Sequence, residues 1–107
     1  MRLLTSENVG DEPIERGELV YACAVAGANI LRDMREAITN TLGGNMIRYE
    51  ALLDKTIARA LDSLAERARA QGYDGVLDIR ISHPHITDGA IEVVVAGTGF
   101  RTGGKRT

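Results

Sequence analysis

A chain of 107 residues fits a single domain, and at this size the buried fraction is modest, so assembly with further copies would add useful core. A hydrophobic share of 44%, a charged share of 26% and a net charge of −2 describe a soluble globular protein, with no electrostatic reason to expect nucleic acid or an anionic membrane as partner. A lone cysteine excludes an internal disulfide and suits a reducing cytoplasm. No apolar run approaches a membrane span, and M-R-L-L-T-S-E-N turns polar too soon for a signal peptide.

Arg2 to Thr5 suits a short extended piece. Glu7 to Pro13 carries Gly10, Asp11 and Pro13 and reads as a loop. Residues 1–13 thus form an N-terminal segment and loop. Ile14 to Val25 is the first full strand. Leu19, Tyr21, Cys23 and Val25 alternate with Val20, Ala22 and Ala24, and both sets are apolar or small, the pattern of a strand covered on two sides. Gly17 marks a bulge or bend within it.

Gly27 to Glu50 predicts a short amphipathic helix, a glycine stop and the start of a longer helix. Ile30/Leu31, Met34, Ala37/Ile38 and Leu42 share one face at helical spacing. Arg32, Asp33, Arg35 and Glu36 fill the other. Asn29 suits the N-cap, and Gly43 the left-handed stop. Gly44 gives room to turn, and Asn45 can cap the next helix. That helix runs from about Met46 to Gln71, with Met46, Tyr49, Leu53, Ile57, Ala60/Leu61, Leu64 and Ala68 as its buried stripe and Gly72 as its stop. At about 1.5 Å per residue it is about 40 Å long, more than one small sheet covers, so part of it is expected to meet another subunit.

In Val76 to Ser82, Leu77, Ile79 and Ile81 alternate with Asp78, Arg80 and Ser82. In Ala90 to Phe100, Ile91, Val93 and Val95 lie opposite Glu92, Val94 and Ala96. Asp88-Gly89 is a strong turn pair, so these strands form an antiparallel hairpin. Gly97 and Gly99 mark close backbone approach. Thr102 to Thr107 reads as a loose tail. The order strand, helix, helix, strand, strand predicts an α+β fold of two layers, with one antiparallel sheet covered by helices on one face.

G-A-N-x-x-R-D from Gly27, then Gly43-Gly44, then Tyr49-Glu50 resembles the signature of the YbjQ family, small bacterial proteins of unestablished function grouped under a heavy-metal-binding label. Q-G-Y-D-G-V and A-G-T-G, with Gly97 and Thr98, resemble its later motifs. The match runs from about Thr5 to Phe100. Departures are Glu18 and Ala22 where the family usually has glycine, Cys23 without the usual acidic neighbour, Tyr73 and Gly75 where it has alanine, and Asn45-Met46 after the glycine pair. The resemblance implies a dodecin-subunit-like two-layer domain over residues 1–107, structural roles for Gly27, Gly43, Gly44, Gly72, Gly97 and Thr98, and a closed ring of five subunits.

Candidate sites are few. His83 and His85 flank Pro84 beside the hairpin turn; two imidazoles at i and i+2 can hold zinc, nickel or copper, with Asp88 as a third ligand, but the simpler reading is exposed turn residues. Cys23 in an apolar strand reads first as a small core residue; only a ring that brings several copies together would make it a metal ligand. Arg32 and Asp33 suit either an inter-subunit ion pair or the lining of a cavity between subunits. Asn29, Tyr49 and Glu50 join them as interface ligand contacts, with the Tyr49 ring as a core anchor. Gly43-Gly44 lacks the residues of a phosphate loop, and no nucleophile–base constellation appears, so an enzyme is not expected. No cofactor is expected either, nor a tightly held metal. Two functions remain: a ring that binds a small ligand, anion or metal ion at its interfaces, or an adaptor ring that displays helices to a protein partner.

Overall fold

The computed structural model describes residues 1–26, 44–84 and 90–103, with helix side chains from residue 50 onward. The elements are β1 (Arg2–Leu3), β2 (Ile14–Ala26), α1 (Gly44–Ala70), β3 (Gly75–Ser82) and β4 (Ile91–Thr102). The first predicted helix and the Asp88-Gly89 turn lie outside the described residues.

The sheet order is β1-β3-β4-β2. β4 pairs antiparallel with both β3 and β2, and the β3–β4 pairing is the one expected of the hairpin. The sheet is mixed rather than purely antiparallel, because β1 runs parallel to β3. The amide of Leu4 donates to the Val76 carbonyl at 2.9 Å, and those of Asp78 and Ile79 donate to the Ser6 and Leu4 carbonyls at 2.8 and 3.0 Å. The N-terminal segment is therefore tied along the β3 edge rather than hanging free.

One face of the sheet carries the main core. Val20, Ala22, Ala24 and Ala26 of β2, Ile91, Val93 and Val95 of β4, and Val76 and Ile79 of β3 pack against α1. The helix meets them with Ala60, Leu64 and Ala68, spaced four apart and fully buried, while Leu52, Leu53, Ile57 and Leu61 flank this row. Thr56 extends the row by one step and is also buried; its Oγ1 donates to the Leu52 carbonyl at 2.7 Å, which satisfies the hydroxyl within the helix. Alanine on both surfaces lets helix and sheet approach closely.

Two expected details change. α1 begins at Gly44, so this glycine is the first helical residue rather than a hinge before Asn45. β4 continues through Thr102, whose amide and hydroxyl both donate to the Asp74 carboxylate at 2.8 and 3.2 Å, so the last strand reaches further than its apolar pattern. The stop at Gly72 is as expected: φ is +83°, the Gly72 amide donates to the Arg69 carbonyl at 3.0 Å, and the Tyr73 amide donates to the Ala68 carbonyl at 3.0 Å. This nested pair is a Schellman ending.

Both sheet bulges matter. In β2 the register against β4 shifts between Arg16 and Leu19, at Gly17 as expected. In β3 it shifts between Leu77 and Arg80. The predicted row Leu77–Ile79–Ile81 is therefore broken. Ile79 enters the core under α1, whereas Leu77 joins Val9 and Phe100, with Leu4 and Ile14, in a small cluster on the opposite face. The N-terminal loop covers that end of the sheet.

Candidate functional site on the outer sheet face

Beyond the N-terminal loop, no other element among the described residues covers the sheet face opposite α1. Leu19 is 65% exposed, Tyr21 58% and Val25 51%, and Cys23 is exposed among them. The period of two explains it: Val20, Ala22, Ala24 and Ala26 all turn toward the helix, so the odd positions turn away. The expectations of a strand covered on both sides and of a core Cys23 are thus corrected. Among the described residues only the even face is covered. Thr98, Ala96, Val94 and Glu92 of β4 stand opposite Leu19, Tyr21, Cys23 and Val25, so the strip is two strands wide.

One edge of this strip is marked by Arg67. Its guanidinium reaches from α1 to the Tyr21 carbonyl, donating at 2.9 Å, and sits 5.4 Å from the Tyr21 ring centroid. The other edge holds Asp78 and Arg80, an ion pair at 3.3 Å beside a depression lined by Leu19, Asp78, Arg80, Ala96, Gly97 and Thr98. Gly97 is as tight as its sequence pattern suggests: a Cβ there would stand 2.6 Å from Val76 Cγ1 and 2.8 Å from the Leu77 carbonyl. Thr98, half-buried, lies on the outer strip. The depression was not legible beforehand, because the bulge that re-aims Asp78 leaves no signature in an alternating strand.

Of the other predicted site residues, Gly27, Asn29, Arg32, Asp33, Gly43 and His85 lie outside the described residues, as does the Tyr49 side chain. Glu50 is exposed on α1, and His83 is exposed just past β3. Ser82, Val94 and Cys23 form one row across β3, β4 and β2, so His83 and Cys23 are separated by about two strand spacings, about 10 Å. Side chains stand roughly perpendicular to a sheet, so this thiol and imidazole do not converge. Among the described residues no three His, Cys, Asp or Glu side chains gather to hold a metal ion. The donors among the described residues therefore do not form a heavy-metal site. Among the described residues no helix is long and apolar enough to cross a membrane.

The sequence profile of the YbjQ family, described as "Putative heavy-metal-binding", matches residues 1–102. The chain belongs to this family. A UPF0145 protein of Bacillus cereus is 33% identical over 97 residues, covering 91% of this chain and 94% of its own length. A UPF0145 protein of Halobacterium salinarum is 35% identical over 99 residues, covering 92% and 95%. A crystal structure of a Pediococcus pentosaceus protein of unknown function, from the DUF74 family, superposes with a TM-score of 0.67 at 15% identity, over 96% of this chain and 98% of that one. This last likeness supports the fold alone. The names of these relatives carry no enzymatic activity.

Proposed function

We propose that this YbjQ-family protein works in the cytoplasm as a non-enzymatic homo-oligomer, a ring of five, whose outer sheet faces meet neighbouring copies and whose interfaces hold a small ligand, anion or metal ion. The observation that carries this reading is the exposed strip Leu19–Tyr21–Cys23–Val25 on a strand at the end of the sheet order. A run of large apolar side chains exposed along one strand is what an interaction surface presents. A long apolar outer strand is also an aggregation hazard unless something covers it. A second copy is the partner always present with the chain. The ring of five follows the family resemblance.

Native mass spectrometry and sedimentation equilibrium test the assembly. The wild-type chain is expected as a pentamer at micromolar concentration. Val25→Glu, which puts a carboxylate into the strip, should yield smaller species with unchanged helical circular dichroism. A wild-type monomer would overturn the reading. A thermal-shift screen of metals, oxyanions and small metabolites tests the ligand, since saturation at about 100 times Kd adds about 2.7 kcal/mol of stability. A flat response on an intact ring would favour the display of helices to a protein partner.

A further inference from the structure

The bulge between Leu77 and Arg80 gives β3 one residue more than β4, and Asp78 takes up the excess at φ 54°. Aspartate enters the left-handed region more readily than most residues, and bulges redirect the side chain they carry. Here the redirected carboxylate meets Arg80, Nη2 to Oδ1 at 3.3 Å. The single short contact engages one arm of the fork, and the Arg80 side chain is 80% exposed, so donors remain for a bidentate acceptor. Below the pair lies a depression of about 250 Å³, with Leu19, Ala96 and Gly97 supplying apolar surface and Thr98 a hydroxyl.

We infer that this depression binds a small apolar α-amino acid of the size of leucine. Its carboxylate lies on Arg80, its ammonium on Asp78, and its side chain on Leu19 and Ala96. A pair with no net charge discriminates against a simple anion, which Asp78 repels, and against a simple cation, which Arg80 repels. A zwitterion matches both groups at once. The apolar floor selects a hydrocarbon tail. The volume lies below the roughly 300–1,000 Å³ of pockets for drug-sized ligands, so the occupant is small. An exposed ion pair is held weakly, so opening it to admit the zwitterion costs little. Full closure of the depression rests on the assembly proposed above, because Leu19 belongs to both the depression and the strip.

The test is a titration of the deuterated full chain, followed by amide resonances, with L-leucine, isocaproate (leucine without its amine) and isoamylamine (leucine without its carboxylate). Leucine is expected to shift Arg80, Ala96, Gly97 and Thr98 saturably. Isocaproate and isoamylamine should bind about two- to fivefold more weakly, the range expected for loss of one exposed charge contact. Arg80→Ala should weaken leucine by a similar factor. Asp78→Asn, which keeps a residue tolerant of the left-handed backbone, should erase the preference of leucine over isocaproate. Absence of saturable shifts at these amides, equal response to isocaproate in the wild type, or unchanged leucine binding in Arg80→Ala would each overturn the inference. Sedimentation on the same samples separates the two proposals. A ring that shows no shifts refutes the amino-acid site and leaves the assembly. A monomer that shows them refutes the assembly and leaves the site.

Discussion

Tyr73 closes the seam between the end of α1 and the sheet, and the space for its ring depends on two glycines. The residue is 9% exposed. Its hydroxyl accepts from the Glu18 amide at 2.8 Å, at the β2 bulge, and the Arg101 guanidinium lies 4.6 Å from its ring centroid. A Cβ on Gly17 or on Gly99 would overlap ring atoms. Gly99→Ala therefore drives a methyl into a ring held by a hydrogen bond, a cation and the sheet. Overpacking of this kind costs about 1–3 kcal/mol. Tyr73→Ala removes the ring and the acceptor of the Glu18 amide, at about 3–5 kcal/mol for a buried aromatic.

The two losses should not add. Once the ring is gone, the Gly99 methyl enters vacated space, so Gly99→Ala should be close to neutral in the Tyr73→Ala background. The coupling expected from the cycle is about 1–3 kcal/mol of compensation. Tyr73→Phe is the control. It loses only the hydroxyl, at about 0.5–1.5 kcal/mol, and keeps the ring, so Gly99→Ala should cost as much there as in the wild type. Urea unfolding at one fixed protein concentration reads all five variants, provided the slope m stays constant. Additive losses in the Tyr73→Ala cycle would refute the close approach. Relief in the Tyr73→Phe background would assign the conflict to the hydroxyl instead of the ring.

Leu64→Ala, in the middle of the buried helix row, should cost about 2–5 kcal/mol by the same unfolding assay, and a smaller loss would mean that α1 shifts to fill the gap. Gly72→Val forces a β-branched residue to φ +83° and should cost at least about 1 kcal/mol; an unchanged midpoint would contradict the Schellman ending.

The elements themselves were legible because each rests on a local signal. The four-residue steps of Ala60, Leu64 and Ala68 can only be a helix face, and Gly72 can only stop it cheaply. Ile91, Val93 and Val95 alternate cleanly with Glu92, Val94 and Ala96, and the strand forms with that parity. The bulge at Gly17 was readable because glycine is poorly suited to a strand interior. The β3 bulge was not, because Asp78-Ile79-Arg80 alternates as well as any regular strand. The chain bends there to give the Asp78 and Ile79 amides to the N-terminal segment, a long-range demand that no local pattern records. That same bend moves Leu77 to the outer cluster and brings Asp78 beside Arg80.

β2 makes the larger point. Its two apolar rows call for two covers, and the described residues of the chain provide one. The row that faces α1 is valine and alanine, small enough for helix and sheet to close on each other. The bulkier Leu19 and Tyr21 would hold α1 off the sheet if they faced it, so close packing itself assigns them to the other side, and Val25 follows by the period of two. A strand whose larger apolar side chains are excluded from its own core by shape is patterned for a second surface, and the sequence carried that pattern in full. It could not name the chain that supplies the surface, because hydrophobic periodicity is the same whether the cover is covalently attached or another copy. The size distribution of the wild type and of Val25→Glu therefore tests a feature already written into residues 19–25.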